Sequence, residues 1–139
     1  MSHTEEDVAL LQEGFDAYNR GDLTFALEHA ADDIEVHTDP GLLNSGTYHG
    51  RDEFEQWMRE WFEAWSEIAI EIGKTEIFDD RFLLVESRQR GVGAGSGVPV
   101  EMDLFQLVEV RGGKLARFHL YPDRPRALAA IERLRASNA

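Results

Sequence analysis

The chain has 139 residues, 27 acidic against 14 basic side chains, a formal charge of −13 and no cysteine. That length suits one domain spanning residues 1–139, with room for a real core but not for two. The charge excludes nucleic acid as a partner, because binding a polyanion rests on a basic surface that releases counterions. The missing cysteines exclude disulfides, thiolate metal sites and cysteine nucleophiles, and fit a reducing compartment. The first residues, MSHTEEDVALLQEGF, are acidic without an apolar core, and no run of about 18 apolar residues offers a membrane span. A soluble cytoplasmic protein with no membrane partner is expected.

Val8, Leu11, Phe15 and Tyr18 fall at helical spacing after Thr4, a candidate cap, and Glu5, Glu6 and Asp7. Gly21 ends this helix and Asp22 is placed to cap a second, short one that carries Phe25 and Ala26. Ile34 to Asp39 alternates as a strand, with Glu35, His37 and Asp39 on one face and Ile34, Val36 and Thr38 on the other. Pro40-Gly41 stops it, and residues 40–50 have loop composition. Phe54, Trp57, Met58, Trp61, Phe62 and Trp65 then form a wide aromatic stripe, predicting a helix that covers the concave side of a sheet.

Ile68–Ile72 and Phe82–Arg90 alternate as strands around an Asp79-Asp80-Arg81 turn. The run GVGAGSG, residues 91–97, lacks the Lys-Ser/Thr of a phosphate loop and a following helix, so it is expected to be a glycine-rich hairpin connection. Val98 to Tyr121 predicts two long strands joined at Arg111-Gly112-Gly113-Lys114. The first is apolar on both faces, which calls for helices on one side and a second cover, such as a partner subunit, on the other. Asp103, flanked by Met102, Leu104 and Phe105, is costly to bury unless hydrogen-bonded or protonated. Asp123 is placed to cap a last helix after Pro122. Residues 1–110 hold 25 acidic and 7 basic side chains and residues 111–139 hold 2 and 7, so the basic C-terminal segment is expected to lie against the acidic body. Helices grouped before strands give an α+β domain, a cone-shaped, strongly curved, mostly antiparallel sheet with the early helices in its concave side.

The segments AYNRGDLTFALEHAADDIEVHTDP, YHGRDEF and SGVPVEMDLFQLVEVRGGKLARFHLYPDRPRAL resemble the SnoaL-like branch of the nuclear transport factor 2-like superfamily. That group shares the cystatin-like α+β roll of ketosteroid isomerases and polyketide cyclases. By similarity to the isomerases, Asp39-Pro40 stands where a proton-transferring aspartate is found, and Asp103-Leu104-Phe105 where a protonated aspartate donates to an enolate oxygen. Gly14 stands where those enzymes carry a tyrosine, and Tyr18, one turn on, could supply that hydroxyl. The resemblance implies no cofactor and no metal. It sends Phe118, Leu120, Val85, Ser87 and Gln89 toward the cavity and His119, Glu86, Arg88 and Arg90 outward, and it implies a homodimer through the outer sheet face.

These readings give a small-molecule pocket protein, a cofactor-free isomerase or cyclase in which Asp39 is the general base and Asp103 and Tyr18 bind the oxygen. Desolvation in the cone would raise the Asp39 pKa toward neutrality. Phe54, Trp57, Trp61, His37, Tyr48, Phe105, Phe118, Leu120, Val85, Ser87 and Gln89 would line the site around an apolar, polycyclic-sized ligand. Asp39 could equally cap its turn, Asp103 could be satisfied structurally by Tyr18 or Tyr48, and His37 could be structural. The alternatives are a non-catalytic binder of an apolar small molecule and a structural dimer whose cone is filled by Trp57, Trp61 and Phe105. His49 is assigned to the cone mouth, and His3 and His29 to solvent.

Overall fold

A computed structural model describes residues 4–40, 42, 45–79 and 81–137. His3, Asp80 and the side chain of Thr4, singled out above, lie outside the described set. The elements follow as α1 (Thr4–Asn19), α2 (Thr24–Glu28), β1 (Ala30–Thr38), β2 (Gly46–His49), α3 (Gly50–Glu63), β3 (Trp65–Phe78), β4 (Phe82–Gly93), β5 (Pro99–Arg111), β6 (Lys114–Tyr121) and α4 (Arg124–Ser137). Among the described residues, six strands form one curved, unclosed sheet in the order β2-β1-β6-β5-β4-β3. Every neighbouring pair is antiparallel except β1 with β6.

Local chemistry sets the boundaries. Gly21 adopts φ 76° after α1, and the Asp22 carboxylate accepts the Thr24 N–H at 3.0 Å to open α2. Asp123 caps α4 as expected, accepting the Arg126 N–H at 2.9 Å. Gly112 and Gly113, with φ 58° and 75°, form the tight turn that sets Arg111 opposite Lys114. In the glycine-rich run, Gly91 belongs to β4, where a Cβ would stand 2.7 Å from the Trp65 ring and 2.9 Å from the Glu67 carbonyl. Close packing across the β3–β4 pair explains that glycine.

The concave face presents Ile34, Val36 and Thr38 of β1, Val85, Ser87 and Gln89 of β4, and Leu104, Gln106 and Val108 of β5 toward α1 and α3. Strand β3 is the free edge on the far side, and Asn19, the last residue of α1, closes part of it. Its side chain donates to the Ile70 carbonyl at 3.0 Å and accepts the Ile70 N–H at 2.8 Å. One amide thus stands in for a neighbouring strand and anchors the end of α1 to the sheet.

The convex face departs from expectation. Phe82, Leu84, Leu107 and Tyr121 pack there against Ala127, Ala130 and Ile131 of α4. The second apolar face of β5 is therefore covered in part by the chain's own last helix. Beyond α4 the face is charged: Arg88 pairs with Glu101 and Asp103 at 3.0 and 3.1 Å, and Arg90 lies 3.6 Å from Glu101. The basic C-terminal segment does lie against the acidic body, through Arg111–Asp33, Arg117–Glu35, Arg124–Glu76, Arg126–Asp39 and Arg135–Asp79. No described helix is long and apolar enough to cross a membrane.

Candidate functional site

A cavity of about 90 Å³ lies between α1, α2, α3 and the concave sheet. Its wall is almost entirely carbon, with Leu10, Phe25, Trp57, Met58, Leu104 and Phe118 among the lining groups. The aromatic stripe of α3 delivers Trp57 and Trp61 as a stacked pair with centroids 5.8 Å apart. The Trp57 indole N–H is satisfied by the Thr38 hydroxyl at 3.1 Å. Gly14 lines the wall from α1, and a Cβ there would meet the Phe25 ring at 3.7 Å, an ordinary contact.

One polar chain crosses this apolar space. The Trp61 indole N–H donates to the Tyr18 hydroxyl at 2.8 Å, and that hydroxyl donates to Gln89 Oε1 at 2.5 Å. The Asn19 clamp holds the geometry, because Ile70, which it grips, is the cross-strand partner of Gln89. Burial pushes the Tyr18 phenol well above its ordinary range, against the opposing pull of the Trp61 hydrogen bond, so it serves as a neutral donor. Gln89 is 1% exposed, and its Nε2 has no hydrogen-bond partner among the described residues.

Of the residues expected at the site, Tyr18, Phe54, Trp57, Trp61, Gln89, Phe118 and Leu120 line the cavity. Several others do not. Asp103 stands opposite Arg88 in the β4–β5 register, its side chain 58% exposed and hydrogen-bonded to that guanidinium. Because Leu104 and Gln106 point inward, strand alternation sends Asp103 and Phe105 to the convex side. The same rule corrects β1, where Ile34, Val36 and Thr38 are buried inward. His37 therefore faces out, its ring 5.2 Å from that of His119 and its Nδ1 2.8 Å from the Thr47 hydroxyl. Asp39 follows the strand with its side chain 15% exposed, paired with Arg126 at 3.2 Å and outside the cavity lining.

Val85 and Ser87 do face inward, but Val85 is packed among Leu11 and Phe15. Ser87 is hydrogen-bonded within the sheet, its Oγ 2.9 Å from Gln106 Oε1 and 3.0 Å from the Leu104 carbonyl. Tyr48 packs on the α3 cluster outside the cavity lining. His29, expected in solvent, stacks on Phe25 at 4.2 Å and bonds its carbonyl, and His49 is exposed at the head of α3. The sequence reading did not assign Leu10, Phe25, Met58 and Gln106 to the lining; Met58 carried a signal as a member of the α3 stripe, and Gln106 as a polar residue alternating with Leu104 and Val108.

On the convex side, His119 bonds Glu35 through Nε2 at 2.8 Å and the Tyr121 hydroxyl through Nδ1 at 3.1 Å. Burial drives its pKa down to about 4, outweighing the upward pull of Glu35. Burial works to raise the Glu35 carboxyl, but the His119 hydrogen bond and the Arg117 charge hold it below the usual carboxylate range. Among the described residues no cluster of three or more His, Asp or Glu is arranged to hold a metal ion.

A family profile for the SnoaL-like domain matches residues 11–118. The chain belongs to the SnoaL-like domain family. Solved structures share the fold of this SnoaL-like domain at low identity. An NTF2-like protein of unknown function from Burkholderia pseudomallei K96243 is 20% identical, with 88% of this chain and 92% of that one covered and a TM-score of 0.76. A candidate SnoaL-like polyketide cyclase from Jannaschia sp. CCS1 is 14% identical, covering 91% and 90% with a TM-score of 0.75. TerC, co-crystallised with polyporic acid, is 14% identical over 90% and 95% with a TM-score of 0.73. No curated protein matches the chain.

Proposed function

We propose that this SnoaL-like domain binds a small, largely apolar molecule in the cavity between α1, α3 and the sheet, and that it needs no cofactor to do so. The observation that carries the reading is a carbon-walled cavity crossed by a single ordered chain of polar groups, Trp61, Tyr18 and Gln89. Volume limits the ligand. An apolar cavity of about 150 Å³ accommodates benzene, so about 90 Å³ suits a small ring or a branched chain rather than a polycycle.

The isomerase reading is weaker. It needs two carboxylates at the cavity wall, whereas Asp39 is engaged by Arg126 and Asp103 by Arg88 on the other side of the sheet. A general base must come within hydrogen-bond reach of the proton it removes. A cone filled solid by Trp57, Trp61 and Phe105 is likewise disfavoured, since Phe105 packs outside it.

Isobutene, a branched hydrocarbon smaller than benzene, is a suitable probe. Titrated into the protein, it should shift the indole N–H resonances of Trp57 and Trp61 saturably. Gly14→Leu, which sends a side chain into the cavity from a helix that tolerates it, should abolish the effect. A protein whose indole resonances ignore the hydrocarbon has no ligand-accessible cavity, and the reading falls.

A further inference from the structure

The direction of the polar chain can be read from its first member. An indole N–H only donates, so the Tyr18 oxygen accepts there and its own proton goes onward to Gln89. The Gln89 side chain must then turn its oxygen to the phenol, which leaves the NH₂ group at the far end. That group is buried with no protein acceptor among the described residues, on a residue that lines the cavity. A buried donor left without an acceptor is a standing cost to the fold, and a bound acceptor relieves it.

Resting on the pocket reading above, the geometry points to Gln89 Nε2 as the anchor for a carbonyl oxygen, so that the ligand is a small neutral ketone, ester or amide. Charge supports neutrality. Among the described residues, no Lys, Arg or His lines the cavity to hold an anion. The only carboxylate among the described lining residues is Asp22, which is exposed, and one of its oxygens already accepts the Thr24 N–H. A cation would meet only donors at Gln89. The anchor is also rigid, because both ends of the amide's support are fixed: Tyr18 holds its oxygen, and the Asn19 clamp on Ile70 fixes the neighbouring strand. The Tyr18 hydroxyl, whose proton is engaged, is a positioning group here and makes no contact of its own with the ligand.

The test pairs acetone with isobutene, which has the same shape without the acceptor, and reads both dissociation constants by titration of the wild-type protein. In a cavity without a donor the ketone would bind more weakly, by about tenfold to a hundredfold, because its oxygen leaves water for nothing. With Gln89 as donor that penalty disappears and the ketone should bind at least as tightly as the alkene. In Gln89→Met the ketone should weaken by about tenfold while the alkene stays within about threefold. A wild-type protein that binds the alkene but holds the ketone tenfold less tightly overturns the anchor and leaves the pocket standing. Failure of both probes removes the pocket and the anchor together. The wild-type comparison is decisive on its own if the methionine variant does not fold.

Discussion

Tyr18→Phe isolates the polar chain, because it deletes one oxygen and keeps the ring packed against Phe62, 4.7 Å away. Two partners then lose their bonds at once: the Trp61 indole N–H at 2.8 Å and Gln89 Oε1 at 2.5 Å. Both belong to residues at most 2% exposed, so water cannot replace the hydroxyl without a rearrangement. A buried donor or acceptor left open costs about 1–3 kcal/mol, and two of them, after local relaxation, amount to about 3 kcal/mol. The gain from no longer burying a phenol offsets a fraction of this. Urea unfolding at neutral pH should show the midpoint falling with an unchanged slope, and the melting temperature should drop by about 10 °C at this chain length. The double variant with Gln89→Leu should be less harmful than the sum of its parts, since the second change removes an acceptor that the first orphaned. If Tyr18→Phe costs less than about 0.5 kcal/mol, the three side chains do not form a coupled network, and the orientation deduced for Gln89 goes with it.

Three further outcomes are expected. Asn19→Ala opens both backbone groups of Ile70 and should cost about 1–2 kcal/mol, seen as faster amide exchange at Ile70 before any other residue of β3. Folded His119 takes a proton only near pH 4, against 6.5 for the free side chain, so between those values the unfolded chain holds more protons. Stability should therefore fall as pH drops from 6.5 toward 4, by about 3 kcal/mol in full. Glu35, held below its usual range, pulls in the same direction at lower pH, and His119→Gln should flatten the upper part of the curve in pH-dependent urea titrations. Asp103→Asn, on an exposed pair with Arg88, should leave probe binding unchanged in the titration used for the cavity; a loss of binding there would restore the aspartate to the site.

Strongly periodic segments were legible from sequence. The helical spacing of Leu11, Phe15 and Tyr18, the aromatic stripe of α3 from Phe54 to Phe62, and Gly112-Gly113 between two alternating runs each specify local geometry without help from the rest of the chain, whereas Trp65, which the spacing adds to the stripe, opens β3. Strand β2 was missed because Gly46–His49 is short and mostly exposed, and β3 was read only at Ile68–Ile72 because a register shift between Ile72 and Thr75 breaks its alternation. The errors at the site have one origin. Alternation divides a strand into two faces but does not say which is inside; that depends on register and on what covers each face. Arg88 outward and Asp103 inward were separate expectations, and the pairing of Arg88 with Asp103 across β4 and β5 makes them incompatible. Nor does the apolar stripe of α4 reveal which side of the sheet it will cover.

The parallel pairing of β1 with β6 ties Val36 to Phe118 across most of the chain. Both flanking strands of the sheet's first half wait on it, since β2 is bonded to β1 and β1 reaches the remaining strands through β6. Contacts of such long sequence separation close late, after the loop entropy between them has been overcome. A nascent chain can therefore form the β3–β4–β5 meander while the β1–β2 pair is still detached from it, joining the two parts of the sheet only once β6 emerges. Chaperone dependence and aggregation during synthesis should concentrate in that interval.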